Sequence, residues 1–360
     1  MSALLVLEDG STFEGVSIGA QGEAMGEVIL NTAVVGYQEL ITDPANAGKI
    51  LVFTYPLIGN YGVAKKFSES DRCWPCAVVM KEESSIHSNW QAEDSLGNFL
   101  RKGKQIAVSG VDTRTLAVKV RKKGPMKGIV STKKATKTRL MKKLKEFDKN
   151  AKVDFIENIS VKREKTIKGK PGGHKIAILD LGMTNGYLKQ LKNLGCTITL
   201  LPYDTGPEKI MDMHPHGLII SGGPENDVAI AKVAITVGEL IGEIPILGIS
   251  TGHHVIAVAL GGELRKLKVG HHGVNYPTKA DYQQTGKITV QNHSYVVDEK
   301  SLRDEEDIEI TLRNVNDDTV EEMVSHGLKF ISTQYCPTSP GWEEISDVFT
   351  RFLRMVDKSL

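Results

Sequence analysis

Residues Ile244–Leu260 read I-P-I-L-G-I-S-T-G-H-H-V-I-A-V-A-L. The run Ile244–Ile249 has the length and apolar character of a buried strand, and the residues after it continue as a helix through Leu260. Gly248 and Gly252 bracket Ser250, permitting a tight backbone on both sides of it. A strand that turns abruptly into a helix holds one side chain on the turn, beside the unpaired N–H groups and partial positive charge of the helix N-terminus. Such an elbow exposes a nucleophile and lets backbone amides hold an oxyanion. Read literally, G-I-S-T-G is also the G-x-S-x-G of serine hydrolases, and an ordinary βα turn without chemistry is the competing reading.

Upstream of the elbow, strands and helices alternate. Lys175–Leu179 is a continuous apolar run closed by Asp180, Asn185–Leu194 is amphipathic at helical spacing, and Thr197–Leu201 and Gly217–Ile220 are further apolar runs. Val228–Ile241 reads as a helix. This rhythm predicts a parallel sheet covered on both faces, with its crevice at the carboxyl ends of the strands. After Gly261-Gly262 come shorter β-like pieces (Lys287–Val290, Tyr295–Val297, Ile308–Leu312, Lys329–Ser332) and a helix from about Glu343.

The first 120 residues have a different texture. Ala3–Leu7 stops at Asp9-Gly10, a hairpin signal, and Val28–Leu30, Ile50–Thr54 and Ile106–Val108 are short β-type runs. The expected organisation is α/β throughout: a β-rich α/β domain over 1–150, a linker over 151–173 whose clearest part, 160–173, ends in Pro-Gly-Gly, and a domain with a central, mostly parallel sheet over 174–360. Eleven of the 25 residues in 121–145 are basic and none is acidic. No aromatic residues interleave with them as base stacking would require, so a solvated helix surface is favoured over a nucleic-acid or acidic-partner face.

Composition narrows the class. The 360 residues carry 45 Lys and Arg against 44 Asp and Glu, so no global charge calls for nucleic acid or an anionic membrane. Four cysteines cannot form a disulfide scaffold. The N-terminus lacks a basic n-region, and no apolar run approaches 18 residues, so the expectation is a cytoplasmic protein with no membrane association.

Motifs spread along the chain add a family resemblance. Thr32–Pro44 (T-A-V-V-G-Y-Q-E-L-I-T-D-P), Thr54–Gly62 and Val111–Leu116 resemble marker stretches of the N-terminal domain of carbamoyl-phosphate synthase small chains. Ser221–Pro224 (S-G-G-P), Gly248–His253, Gly270–Gly273 (G-H-H-G), Gln291–Glu299 and Gln334–Gly341 resemble those of its class I, triad-type glutamine amidotransferase domain. The resemblance implies the matching fold and a heteromeric partner, a large chain that uses ATP and magnesium, with no cofactor in this chain. It also implies a chemistry: a Cys thiolate at the elbow attacks the glutamine amide, a Glu-held His acts as base and then acid, and water hydrolyses the thioester to release ammonia for the large chain. That product feeds pyrimidine and arginine synthesis.

The sequence departs from this pattern at the reacting positions. Ser250 stands at the nucleophile position, Cys336 at the base position and Thr338 at its orienting partner. Around the glutamine site, Ala33 replaces a serine, Glu225 a glycine and His254 a glutamine, while Ser294 and Tyr295 replace Gly-Phe. Gly223, Asn292, the aromatic at Tyr295 and the backbone amide of Thr251 still suit the substrate. Loss of one member of a catalytic unit costs roughly 10⁴–10⁶ in kcat. The expectation is therefore poor glutamine binding, no useful glutaminase activity and a structural or regulatory subunit.

Other readings stay open at this level. Cys336 as a new nucleophile with His253 or His254 as base is one, with His254 placed to reach the crevice and a polar residue at a helix start as the plainer account of both histidines. A serine hydrolase using Ser250, Asp298 or Asp317, and His326 is another, and a repurposed binding protein contacting partners through 121–145 is a third. Cys73-Trp74-Pro75-Cys76 has no second ligand pair in view and reads as two ordinary thiols. His271-His272, adjacent on a strand, face opposite sides and read as scaffold.

Overall fold

A computed structural model describes residues 2–147, 154–280, 286–302, 307–338 and 344–360. The chain divides into two compact units, Met1–Ala151 with Lys268–Gly273, and Lys152–Leu267 with Val274–Leu360.

In the first unit seven strands close into a barrel in the order Ser2–Leu7, Thr12–Ser17, Ala107–Ser109, Ala77–Val79, Lys49–Phe53, Glu23–Asn31 and Met126–Ser131. The last pairs antiparallel with the first and closes the circle, removing free edges. Inward alternation puts Leu5, Leu7, Val28, Ile50, Val52, Val79, Val108 and Val130 in one core. The hairpin read at Asp9-Gly10 is present, with Gly10 at a φ of +83° that glycine adopts without strain.

The basic stretch supplies the end of the helix Thr113–Lys123, the strand Met126–Ser131 and the helix Lys137–Glu146. Leu140 and Leu144 of the last helix pack on Val6 and Ile129. Lys119 and Lys123 pair with Asp9, and Arg139 and Lys143 with Glu23, so part of the positive charge is matched within the unit. Cys73 and Cys76 are free thiols, pushed by burial up to about 11 and about 12, values that disfavour the thiolate a metal or redox site needs.

The second unit is built on a ten-stranded sheet. Its parallel centre runs Thr197–Pro202, Lys175–Asp180, Gly217–Ile220, Ile246–Ile249, Phe330–Thr333, and antiparallel strands continue it through Val320–Ser325 and Glu309–Asn314. On one face Ala177, Leu179, Leu218, Ile220 and Ile246 meet the helices Ala229–Leu240 and Thr251–Ala259. On the other Ile176, Ile178, Ile219, Leu247 and Ile249 meet Asn185–Asn193 and the C-terminal helix Asp347–Ser359. Both faces are covered, which is why these strands read as unbroken apolar runs.

The structure departs from the sequence reading at the stretch expected to be a linker. Lys165–Ile167 is an edge strand antiparallel to Ile198–Leu200. Phe155–Ile159 is a short helix whose first amides donate to the buried carboxylate of Asp227 and whose Ile156 enters the core. Elements of three and five residues are too short to carry a legible period. The two β pieces expected at Lys287–Val290 and Tyr295–Val297 are one strand, Lys287–Asp298. Among the described residues no helix is long and apolar enough to cross a membrane.

Candidate functional site

The elbow forms as the glycines dictate. The strand Ile246–Ile249 passes into the helix Thr251–Ala259 through Ser250 alone, held at φ 53° and ψ −106°, a conformation that an L-residue adopts only under strain. A Cβ on Gly252 would sit 2.1 Å from the Ile220 carbonyl oxygen, and one on Gly248 would sit 2.6 Å from that of Gly252, so neither position tolerates a side chain. Ser250 is 5% exposed, and its backbone amide donates to the Thr333 carbonyl on the neighbouring strand.

The loop Ser221–Glu225 leaves the adjacent strand at the same edge. Gly222 lies beside Ser250, since a Cβ added there would be 3.6 Å from the serine Cβ. Gly223 packs so tightly on Leu181 that its Cβ would meet the Leu181 carbonyl oxygen at 2.1 Å. Thr251 Oγ1 donates to the Gly223 carbonyl at 2.6 Å and ties this loop to the elbow helix. The segment leaving Phe330–Thr333 brings Cys336 to the same edge, its amide bonded to the Val290 carbonyl. Thr338 follows two residues later, half-buried.

The strand Lys287–Asp298 carries Asn292 and Ser294, both buried, and the half-buried Tyr295, whose ring lies under the Lys266 ammonium. Both carboxylate oxygens of Glu225 lie 2.8 Å from the Ser294 nitrogen and accept its N–H. A chain of buried polar groups fixes this strand. Glu321 accepts from Gln291 Nε2 and Asn314 Nδ2, Gln291 Oε1 meets His293 Nε2, and His293 Nδ1 meets the Tyr295 carbonyl.

Neither histidine ring after the elbow hydrogen-bonds the Ser250 hydroxyl. His253 and His254 are both 0% exposed. His253 Nδ1 lies 2.8 Å from Ser332 Oγ, and His254 Nε2 lies 2.8 Å from Gln334 Oε1. Burial holds His253 well below the usual imidazole range and pushes His254 down to about 4, so both are neutral at pH 7. His254, expected to reach the crevice, is fully buried, and its ring meets Gln334, the residue after the strand Phe330–Thr333. Among the described residues no side chain hydrogen-bonds Ser250 Oγ.

The alternative hydrolase triad is not assembled either. His326 follows Val320–Ser325 and precedes Phe330, so it lies at the start of the strand Phe330–Thr333. That strand runs parallel to the elbow strand, with Ile246 opposite Phe330 and Ile249 opposite Thr333. His326 is therefore at the far end from Ser250, about 10 Å or more away by strand rise. Asp298 and Asp317 accept from the nearby amides of Lys300 and Thr319. Ala33 belongs to the first unit, where it is buried and its amide donates to Asn31 Oδ1. His271 and His272 are both buried.

Three features of the site were missed from the sequence: the Thr251 side chain, the Ser332 and Gln334 partners of the histidines, and the Glu321–Gln291–His293 chain. A hydroxyl residue directly after the elbow was a usable signal for the first. The others join residues far apart in the chain and leave no local pattern.

A doubly covered parallel sheet with a strained elbow at its carboxyl edge defines the class. The family profile described as glutamine amidotransferase class-I matches residues 177–355. The profile described as carbamoyl-phosphate synthase small chain, CPSase domain, matches residues 5–130. Among curated relatives, the carbamoyl phosphate synthase small chain of Clostridium acetobutylicum is 37% identical, over 99% of this chain and 100% of that one. That of Archaeoglobus fulgidus is 38% identical over 99% of each, and that of Chlorobaculum tepidum 34% identical over 99% and 98%. The chain belongs to the carbamoyl-phosphate synthase small chain family.

Proposed function

We propose that this chain is a carbamoyl-phosphate synthase small subunit that docks on a large chain in the cytoplasm but does not itself release ammonia from glutamine. The near-complete coverage of small-chain relatives supports the docking role. One observation carries this reading: the elbow keeps its strained geometry at Ser250, and among the described residues no side chain hydrogen-bonds its hydroxyl. A serine hydroxyl without a base is a poor nucleophile at neutral pH. Cys336 and Thr338 occupy the base and orienting positions, and neither side chain relays a proton as a carboxylate-held imidazole does. His253 and His254 are neutral, buried and committed to Ser332 and Gln334.

On this reading the large chain uses ATP and magnesium and takes its nitrogen from free ammonia. The small chain contributes its frame: binding the large chain, gating ammonia entry or regulating it. The test is co-purification with a large chain followed by carbamoyl phosphate synthesis with each nitrogen donor in turn. Ammonia supports synthesis and glutamine does not. Synthesis from glutamine, lost in Ser250→Ala, overturns the proposal.

A further inference from the structure

We infer that Glu225 is a built-in occupant of a carboxylate anchor, so the crevice beside Ser250 is closed to free α-amino acids by the chain's own side chain. The inference rests on the reading above that this crevice descends from a glutamine site, and it names what now fills it. The Ser294 N–H is a fixed donor on a strand braced by the Glu321–Gln291–His293 chain. It meets both oxygens of the Glu225 carboxylate at 2.8 Å. Backbone amides that face a carboxylate in this way are strong, charge-assisted anchors.

Glu225 lies on the same short loop as Gly222 and Gly223, and Gly222 sits against Ser250. The carboxylate anchored on Ser294 therefore belongs to the loop that lies against the elbow. Tyr295 follows the anchored amide on the same strand, which also carries Asn292. The arrangement is that of a carboxylate anchor with a carboxylate from the protein already in place. An entering amino acid meets an occupied donor and a like charge, and both disfavour its binding.

The test measures binding apart from hydrolysis. L-glutamine is titrated calorimetrically into the wild type, Glu225→Gly and Glu225→Gln, and glutamate release is followed in parallel. Glu225 is outside the left-handed region, so the glycine variant imposes no new backbone requirement there. Removal of the carboxylate in Glu225→Gly tightens glutamine binding by about 10- to 1,000-fold, the range expected for loss of a like charge a few ångströms away. Glu225→Gln, which removes the charge but keeps the bulk, tightens it less. If both variants are folded by circular dichroism and bind glutamine no better than the wild type, the contact is a structural staple and the inference fails, while the proposal of an inert subunit stands. If the wild type binds glutamine as tightly as Glu225→Gly, the plug is likewise refuted. Glutamate release by the wild type defeats the inert-subunit proposal, whatever the binding data show.

Discussion

Thr251 Oγ1 donates a 2.6 Å hydrogen bond to the Gly223 carbonyl, so the first residue of the elbow helix holds the loop that leaves the neighbouring strand. Both groups are buried. Thr251→Val keeps the shape and removes the donor, leaving a buried carbonyl without it, at a cost of about 1–2 kcal/mol. A chemical-denaturation midpoint lowered accordingly, with an unchanged slope, is the expected result. An unchanged midpoint would mean the bond contributes nothing net.

Restoring the reacting atoms one at a time is expected to do nothing. Ser250→Cys supplies a thiol at a helix N-terminus but no base, Cys336→His supplies a base without its orienting carboxylate, and Thr338→Glu supplies the carboxylate alone. Members of a catalytic unit act together, and a single repair recovers little of the roughly 10⁴–10⁶ in kcat that the unit is worth. Each single variant stays at background in a glutamate-release assay. Only the triple variant combined with Glu225→Gly rises clearly above it. Hydrolysis by Ser250→Cys alone would show that a base is already present.

Much of the second unit was legible because its physics is local. Ile176–Leu179, Gly217–Ile220 and Ile246–Ile249 are apolar without interruption since helices cover both faces, and Gly252 marks a position where any Cβ collides with the Ile220 carbonyl. The strand Lys287–Asp298 was read as two pieces because its middle, Gln291–Ser294, is polar yet buried. The Gln291 side chain is met by Glu321, 30 residues away, and no spacing rule reports that. The partner of His254 leaves no local pattern for the same reason: Gln334 is 80 residues away. The seven-stranded closure of the first unit likewise depends on pairing between Ser2–Leu7 and Met126–Ser131. The alternation within each strand is readable, but the closure is not.

The first unit contains a carboxyl that makes stability depend on pH. Burial, reinforced by the neighbouring Glu69 carboxylate, pushes Glu39 up from its ordinary 4.5 to about 7, and its Oε2 is buried without a hydrogen-bond partner. Between pH 4.5 and 7 the folded state then binds more protons than the unfolded one. Stability therefore falls as pH rises through this window and levels off above pH 7, by at most about 3 kcal/mol. Glu39→Gln removes the titration and flattens this component. Denaturation midpoints of wild type and variant, compared from pH 5 to 8, converge at the acid end and separate toward pH 8 with the variant more stable. Parallel profiles would place the Glu39 carboxyl in ordinary solvent.

The C-terminal helix is fastened to the sheet by a charge pair as well as by its apolar face. Arg351 meets both carboxylate oxygens of Glu322 at 2.8 and 2.9 Å, and Glu322, whose side chain is 2% exposed, also accepts from Tyr335 and Thr311 hydroxyls. A buried carboxylate with its cation removed keeps its desolvation penalty and loses the compensating charge. Arg351→Ala is therefore expected to destabilise the second unit by about 3 kcal/mol. Arg351→Met keeps much of the stem packing and loses only the charge, so most of the effect persists if the ion pair is its source. Comparing the two variants separates the causes: a deficit of Arg351→Met close to that of Arg351→Ala assigns the loss to the ion pair. An Arg351→Met variant as stable as the wild type, beside a destabilised Arg351→Ala, would assign the loss to packing of the arginine stem.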